Sequence, residues 1–316
     1  MLSKSEIRAV SEIGHGSVQQ VPIHEVAERL DWSESYASRV ISALQERGYA
    51  NVERKKNTKF VSMTDIQPVE LLTTLISEFG HVDFPELLAG AGLQILYYLD
   101  EPRTASELTE RSHVSRGTVY RRLEKLQHVG IVGKDHSQYA LTEPFSDLSD
   151  LARAVFHHDH RQEALAEATK VTIHWETHDE YLFGSDTDTM EADFHRTGPT
   201  VFAEFGIPLL TRGRFHYIHS ERLSEVTAAD LVCHMLLINQ ETRFRIYCML
   251  LIAHQEIDSK ALNERARYYD REAEIDLSTL TSGLLAYLDS QGEQTTERLP
   301  EWREFKRTAA DYDIRL

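Results

Sequence analysis

The sequence predicts an α+β fold, mainly α, in which one order of elements, three helices and then a hairpin, is written twice ahead of a mixed segment with a helical tail. Three observations predict it. Helical apolar spacing gives way to strand-like alternation within residues 4–64, the same pattern returns 82 residues later, and the texture changes again near residue 170.

In the first copy Ile7, Val10 and Ile13 mark one apolar helix, and Val26, Ala27 and Leu30 a second. Ser33 is placed to cap a third helix whose Ala37, Val40, Ile41 and Leu44 share a face, and Gly48 is placed to end it. The chain then alternates through residues 49–64, as two short strands around the basic tip Arg54-Lys55-Lys56-Asn57-Thr58-Lys59. In the second copy Leu93, Leu96, Tyr97 and Leu99 mark the opening helix. Ser115 stands for Ser33, Val119 for Ala37, Leu123 for Ile41, Leu126 for Leu44 and Gly130 for Gly48. Thr142 answers Thr64 after a hairpin four residues shorter. The expected boundaries are 1–66 for the first copy, 67–83 for a linker helix, 84–143 for the second copy, 144–169 for a connecting helix and 170–316 for the rest.

Both copies resemble the winged helix-turn-helix domains of MarR-like and ArsR-like transcriptional regulators, a likeness carried by apolar spacing. The resemblance implies that the third helix of each copy, 33–47 and 115–129, enters the major groove of double-stranded DNA while the hairpin touches the backbone or the minor groove. Helical periodicity turns Ser35, Arg39, Ser42 and Glu46 away from the apolar face, with Tyr36 beside them. Arg121 aligns with Arg39, and the guanidinium fork suits guanine or phosphate. Arg116 and Tyr120 flank Arg121, whereas Arg122 aligns with the inward Val40 and is expected to lay its stem along the helix edge. Arg54, Lys55, Lys56 and Lys59 in the first hairpin and Lys134 in the second are the expected backbone anchors.

A net charge of −17 sits oddly with a DNA partner until it is divided along the chain. Residues 1–64 and 90–142 each carry +1, residues 65–89 carry −5 and residues 143–316 carry −14, so the acid lies outside the candidate readers. Arginines outnumber lysines 25 to 9 among abundant carboxylates, a composition that resembles proteins of salt-accumulating archaea. At molar salt the screening length falls to about 3 Å, so close contacts rather than long-range attraction would hold DNA. No apolar run approaches the roughly 20 residues that span a bilayer, and the first residues lack a secretory pattern. Cys233 and Cys248 sit in apolar helical patterns. A cytoplasmic location, no membrane, no cofactor and no metal are the expectations.

One long helix is expected from about 145 to 168, with Leu148, Leu151, Val155 and Leu165 on its apolar stripe. Pairing of such helices between two copies of the chain would make a homodimer. Beyond it, residues 172–176, 181–183, 200–205 and 215–218 read as strands, and 228–239, 243–256, 259–269, 277–289 and 300–312 as helices. An acidic domain of this kind would dimerise the chain or sense a small-molecule or protein effector. Three other readings stay open. Phe183-Gly184-Ser185 followed by Glu191 and Asp193 resembles the glycine-serine turn and acidic pair of nucleotidyltransferases. That resemblance implies an enzyme using Ser185, Glu191 and Asp193, although Glu191 stands where the family has Asp and Asp186 and Asp188 follow the turn closely. His157, His158 and His160, or His174, Glu176 and His178, offer metal-ligand chemistry. The layout as a whole is similar to AbiE-type antitoxins, which oppose a partner toxin.

Overall fold

A computed structural model describes residues 1–14, 20–188, 193–209, 213–294 and 299–316. The fold is α+β, mainly α, and it divides into two compact units, residues 1–162 and 163–316.

The first unit opens with α1 (Lys4–Gly14), β1 (Val21–Pro22), α2 (Ile23–Arg29), α3 (Glu34–Glu46), β2 (Ala50–Lys55) and β3 (Thr58–Met63). It continues through α4 (Gln67–Glu78) and α5 (Phe84–Leu88). Then α6 (Ala91–Tyr97), β4 (Arg103–Thr104), α7 (Ala105–Ser112), α8 (Arg116–His128), β5 (Val132–Asp135) and β6 (Gln138–Leu141) repeat the opening order. Each copy builds a three-stranded antiparallel sheet, ordered β1-β3-β2 in one and β4-β6-β5 in the other.

The repetition extends to individual bonds. Ser33 Oγ accepts from the Tyr36 amide at 3.3 Å, and Ser115 Oγ from the Thr118 amide at 3.4 Å, each capping the third helix of its copy. Gly48 and Gly130 leave those helices with φ of 75° and 76°. Thr64 Oγ1 donates to the Gly48 carbonyl at 2.7 Å and Thr142 Oγ1 to the Gly130 carbonyl at 2.8 Å. The turn between second and third helices passes through a left-handed residue in both, Asp31 at φ 55° and His113 at φ 52°. Each hairpin turns on another, Lys56 or His136.

The opening helices differ. α1 is continuous, whereas its counterpart is broken into α5 and α6 at Gly90, whose φ of 60° and ψ of −127° suit only glycine. The break folds α6 so tightly onto α5 that a Cβ on Gly92 would lie 1.9 Å from the Leu87 carbonyl oxygen.

The two copies share one continuous hydrophobic core, from Leu2 to Phe156. α1 packs on α4 and α5, so the linker segment is part of that core and 1–66 and 84–143 are not separate compact bodies. The helix α9 (Asp147–Glu167) joins it too. Leu148, Leu151 and Val155 are at most 1 % exposed. These three of the four residues on the stripe expected to pair between chains are therefore buried within the chain. Polar contacts hold α9 to both copies. Asp159 accepts from Arg47 Nη2 at 2.6 Å and from the Tyr49 hydroxyl at 3.1 Å, and Arg153 reaches Asp100 at 2.9 Å.

The second unit is a four-stranded antiparallel sheet ordered β7-β8-β10-β9, from β7 (Thr172–Glu176), β8 (Tyr181–Ser185), β9 (Phe194–Thr197) and β10 (Phe215–His219). Five helices follow: α10 (Ala228–Ile238), α11 (Thr242–His254), α12 (Ser259–Tyr269), α13 (Leu277–Asp289) and α14 (Trp302–Asp311). Alternation along β8 sends Leu182 into the helical core and Tyr181 and Phe183 into a second cluster with Ala164 and Ala168. Residues 200–205 form no strand. Gly198, at φ 70°, and Pro199 start a 3-10 helix, Gly198–Phe205, and the strand that precedes it is β9.

Candidate nucleic-acid interface

The candidate residues collect on the third helix and hairpin of each copy. On α3, Ser35, Arg39 and Ser42 are exposed while Ala37, Val40, Ile41 and Leu44 face the core, as periodicity requires. Tyr36 is half-buried. Its hydroxyl bonds to Ser5 Oγ at 2.6 Å and its ring meets Trp32 edge-on, leaving a face on which the Arg39 guanidinium rests 5.4 Å away. Its first task is thus to hold α3 on α1 and to set the direction of Arg39.

On α8, Arg116, Tyr120 and Arg121 are exposed, and Tyr120 is one of the few large hydrophobic side chains open to solvent, at 43 %. Arg116 lies over its ring at 5.6 Å and donates to its hydroxyl at 3.4 Å, which raises the guanidinium's already high pKa. Arg121 leans on Thr118 at 3.4 Å. The other cations of α8 have internal work. Arg122 donates to the Glu86 and Ala89 carbonyls at 2.8 and 3.0 Å, and Lys125 pairs with the Glu86 carboxylate at 2.6 Å. Lys4 reaches that same carboxylate at 2.7 Å, so two ammonium groups hold its pKa down to about 2. Sequence reading placed Arg122 at the helix edge but had no means of finding Glu86, which lies 36 residues away.

In the first hairpin Arg54, Lys55, Lys56 and Lys59 are all exposed. Arg54 and Lys59 stand directly opposite each other in the β2–β3 register. Lys55 bonds to Gln20, lies 3.7 Å from Glu53 and sits over Phe60. Between this hairpin and the starts of α2 and α3 is a cleft of ≈ 340 Å³, whose lining includes Ser38, Arg54, Asn57 and Lys59, and also Glu34. The second hairpin has no such tip. Lys134 packs over Tyr139 at 5.0 Å, and Asp135 stands 2.8 Å from His136.

The other candidate chemistries find less. Ser185 is fully buried and donates to the Thr169 carbonyl at 2.9 Å. Asp188 accepts from Arg196 and from the Tyr217 hydroxyl, which together hold its carboxyl below the usual range. Glu191 lies outside the described residues. His158 bonds to the Arg47 carbonyl at 2.7 Å, and His174 lies across the sheet from His216, ring centres 5.5 Å apart, not grouped with Glu176 and His178. Among the described residues no three His, Cys, Asp or Glu side chains are placed to hold a metal ion. No described helix is long and apolar enough to cross a membrane.

Comparison with known proteins agrees with the placement of the second copy. Residues 92–136, from α6 through β5, match the model of the IclR helix-turn-helix domain. The matched type is thus IclR rather than MarR or ArsR; apolar spacing alone identifies the wider group. Residues 191–314 match a C-terminal domain model, HVO_2833_C. No curated protein matches the chain. The helix-turn-helix match supports a DNA-binding transcription regulator.

Proposed function

We propose that the chain is a transcriptional regulator that binds double-stranded DNA through two winged helix-turn-helix copies fused in one unit. The observation that carries this reading is the repeat itself. The element order of the 45 residues matched to a helix-turn-helix domain recurs in the first copy with the same cap on its third helix, and the third helix of each presents arginine to solvent at the same position, Arg39 or Arg121. Helices so exposed, with a hairpin beside them, fit the docking geometry of winged domains. The second unit, acidic and built on its own core, then serves to sense an effector or to bring chains together.

Selection from random duplex DNA by the full-length protein, in a series from moderate to molar potassium chloride, tests this. An enriched motif that disappears when Arg39 and Arg121 are both changed to alanine is expected. Failure to enrich any motif at any salt concentration would make both copies scaffolding and refute the proposal.

A further inference from the structure

We infer that the two copies divide recognition between them: α8 of the second copy reads base sequence, and the β2–β3 hairpin of the first binds phosphates without regard to sequence. This rests on the DNA-binding reading above and assigns its parts.

The hairpin carries positive charge without an ion-pair partner among the described residues. Like charges placed directly opposite in an antiparallel pair repel, yet Arg54 and Lys59 are so placed, with Lys56 at the turn between them. Among the described residues none of these three is in an ion pair. Glu53 is engaged by Lys55 and Gln20, and Glu34 is the acid that lines the adjoining cleft. A row of phosphates spaced along a strand is the partner that relieves such repulsion, and contacts to phosphate carry no information about bases. In the second copy the corresponding strands each lose two residues, which shortens the reach by about 7 Å. There Asp135 stands next to Lys134, the one lysine of that hairpin.

The helices show the opposite bias. The first turn of α3 contains Glu34, and its one outward cation, Arg39, leans on a tyrosine whose hydroxyl is tied to Ser5. The first turn of α8 contains no acid. It exposes Arg116, Tyr120 and Arg121 together, with Glu124 one position past Leu123 as the exposed acid of that helix. Gly117 keeps its surface open where α3 has Ser35, with nothing within 4 Å of the place a Cβ would take. Two guanidinium forks flanking a planar ring are shaped for base edges in the major groove.

The test compares three variants of the full-length protein on its selected site and on unrelated duplexes, across a salt series. Changing Arg54 and Lys59 to alanine is expected to weaken binding to every duplex alike. It should also reduce the slope of log affinity against log salt by about 2, near 0.9 for each phosphate no longer neutralised, while leaving the selected motif intact. R121A is expected to weaken the selected site by about 5- to 150-fold and to erase preference at one position, and R39A to weaken binding to every duplex alike without erasing preference at any position. The inference is overturned if R39A erases a position while R121A weakens all duplexes equally, or if the hairpin variant keeps the full salt slope. A wild-type protein that binds no DNA refutes the regulator reading itself, an outcome distinct from these.

Discussion

Gly92 and Gly117, 25 positions apart in the same copy, respond to one substitution with opposite signs. A Cβ on Gly92 would stand 1.9 Å from the Leu87 carbonyl oxygen and 2.9 Å from its carbon. Both are backbone atoms of α5, so no side-chain rotation relieves the overlap, and α6 must move off the shared core to admit a methyl group. Overpacking of this kind costs about 1–3 kcal/mol where side chains can give way, and the backbone clash puts Gly92→Ala at about 3 kcal/mol. For a unit of this size about 1 kcal/mol moves the midpoint by roughly 2–4 °C, so the melting temperature of the first unit should fall by roughly 6–12 °C. Gly117 lies exposed in the first turn of α8 with open space around it, where alanine gains up to about 1 kcal/mol in helix propensity. Gly117→Ala should therefore raise the midpoint by a few degrees. Thermal unfolding followed by far-ultraviolet circular dichroism at fixed salt measures both. A Gly92→Ala midpoint within about a degree of wild type would refute the close packing of α6 on α5.

Three further predictions concern stability. His174, His216 and His234 are held neutral in the second unit, with pKa values pushed down by burial to about 4, about 3 and about 4. The unfolded chain takes up those protons near pH 6.5, so stability is fully present above that pH and falls as pH drops toward 4. The loss approaches about 1.4 kcal/mol per pH unit for each histidine, and the denaturation midpoint of the second unit at pH 7 and pH 5 tests it. Burial also raises the pKa of the Cys233 and Cys248 thiols well above the ordinary range. They should resist a thiol reagent in the native state and react only as fast as the second unit opens; immediate labelling at neutral pH would contradict their placement. The matching caps should cost alike: Ser33→Ala and Ser115→Ala are each expected to lose about 1 kcal/mol, and a loss confined to one would show that the duplicated bond is not equivalent in solution.

Features fixed by a few neighbouring residues were legible in the sequence. Ser33 and Ser115, Gly48 and Gly130, and the apolar faces of α3 and α8 act within a turn or two of themselves, so spacing located them. The outward set on both helices followed from the same period. What spacing could not supply was set by partners far along the chain. Glu86 captures Lys125 and Arg122 binds the carbonyls beside it, while Ser5 engages Tyr36; Leu148, Leu151 and Val155 of α9 are buried against the two copies. The left-handed Asp31 and His113 carried no signal because neither is glycine. Residues 200–205 alternate as a strand does, but Gly198 and Pro199 turn the backbone first.

The common core sets different terms for inner and outer positions. A change at Ile7 or Leu93 disturbs the packing that both copies use, so neither can drift alone on its inner face, and a copy cut out at residue 66 would leave α1 without α4 and α5. Exposed positions carry no such debt to the other copy. Two repeats joined in this way can vary most freely at the rim, and the rim is where their hairpins and the exposed faces of their third helices differ.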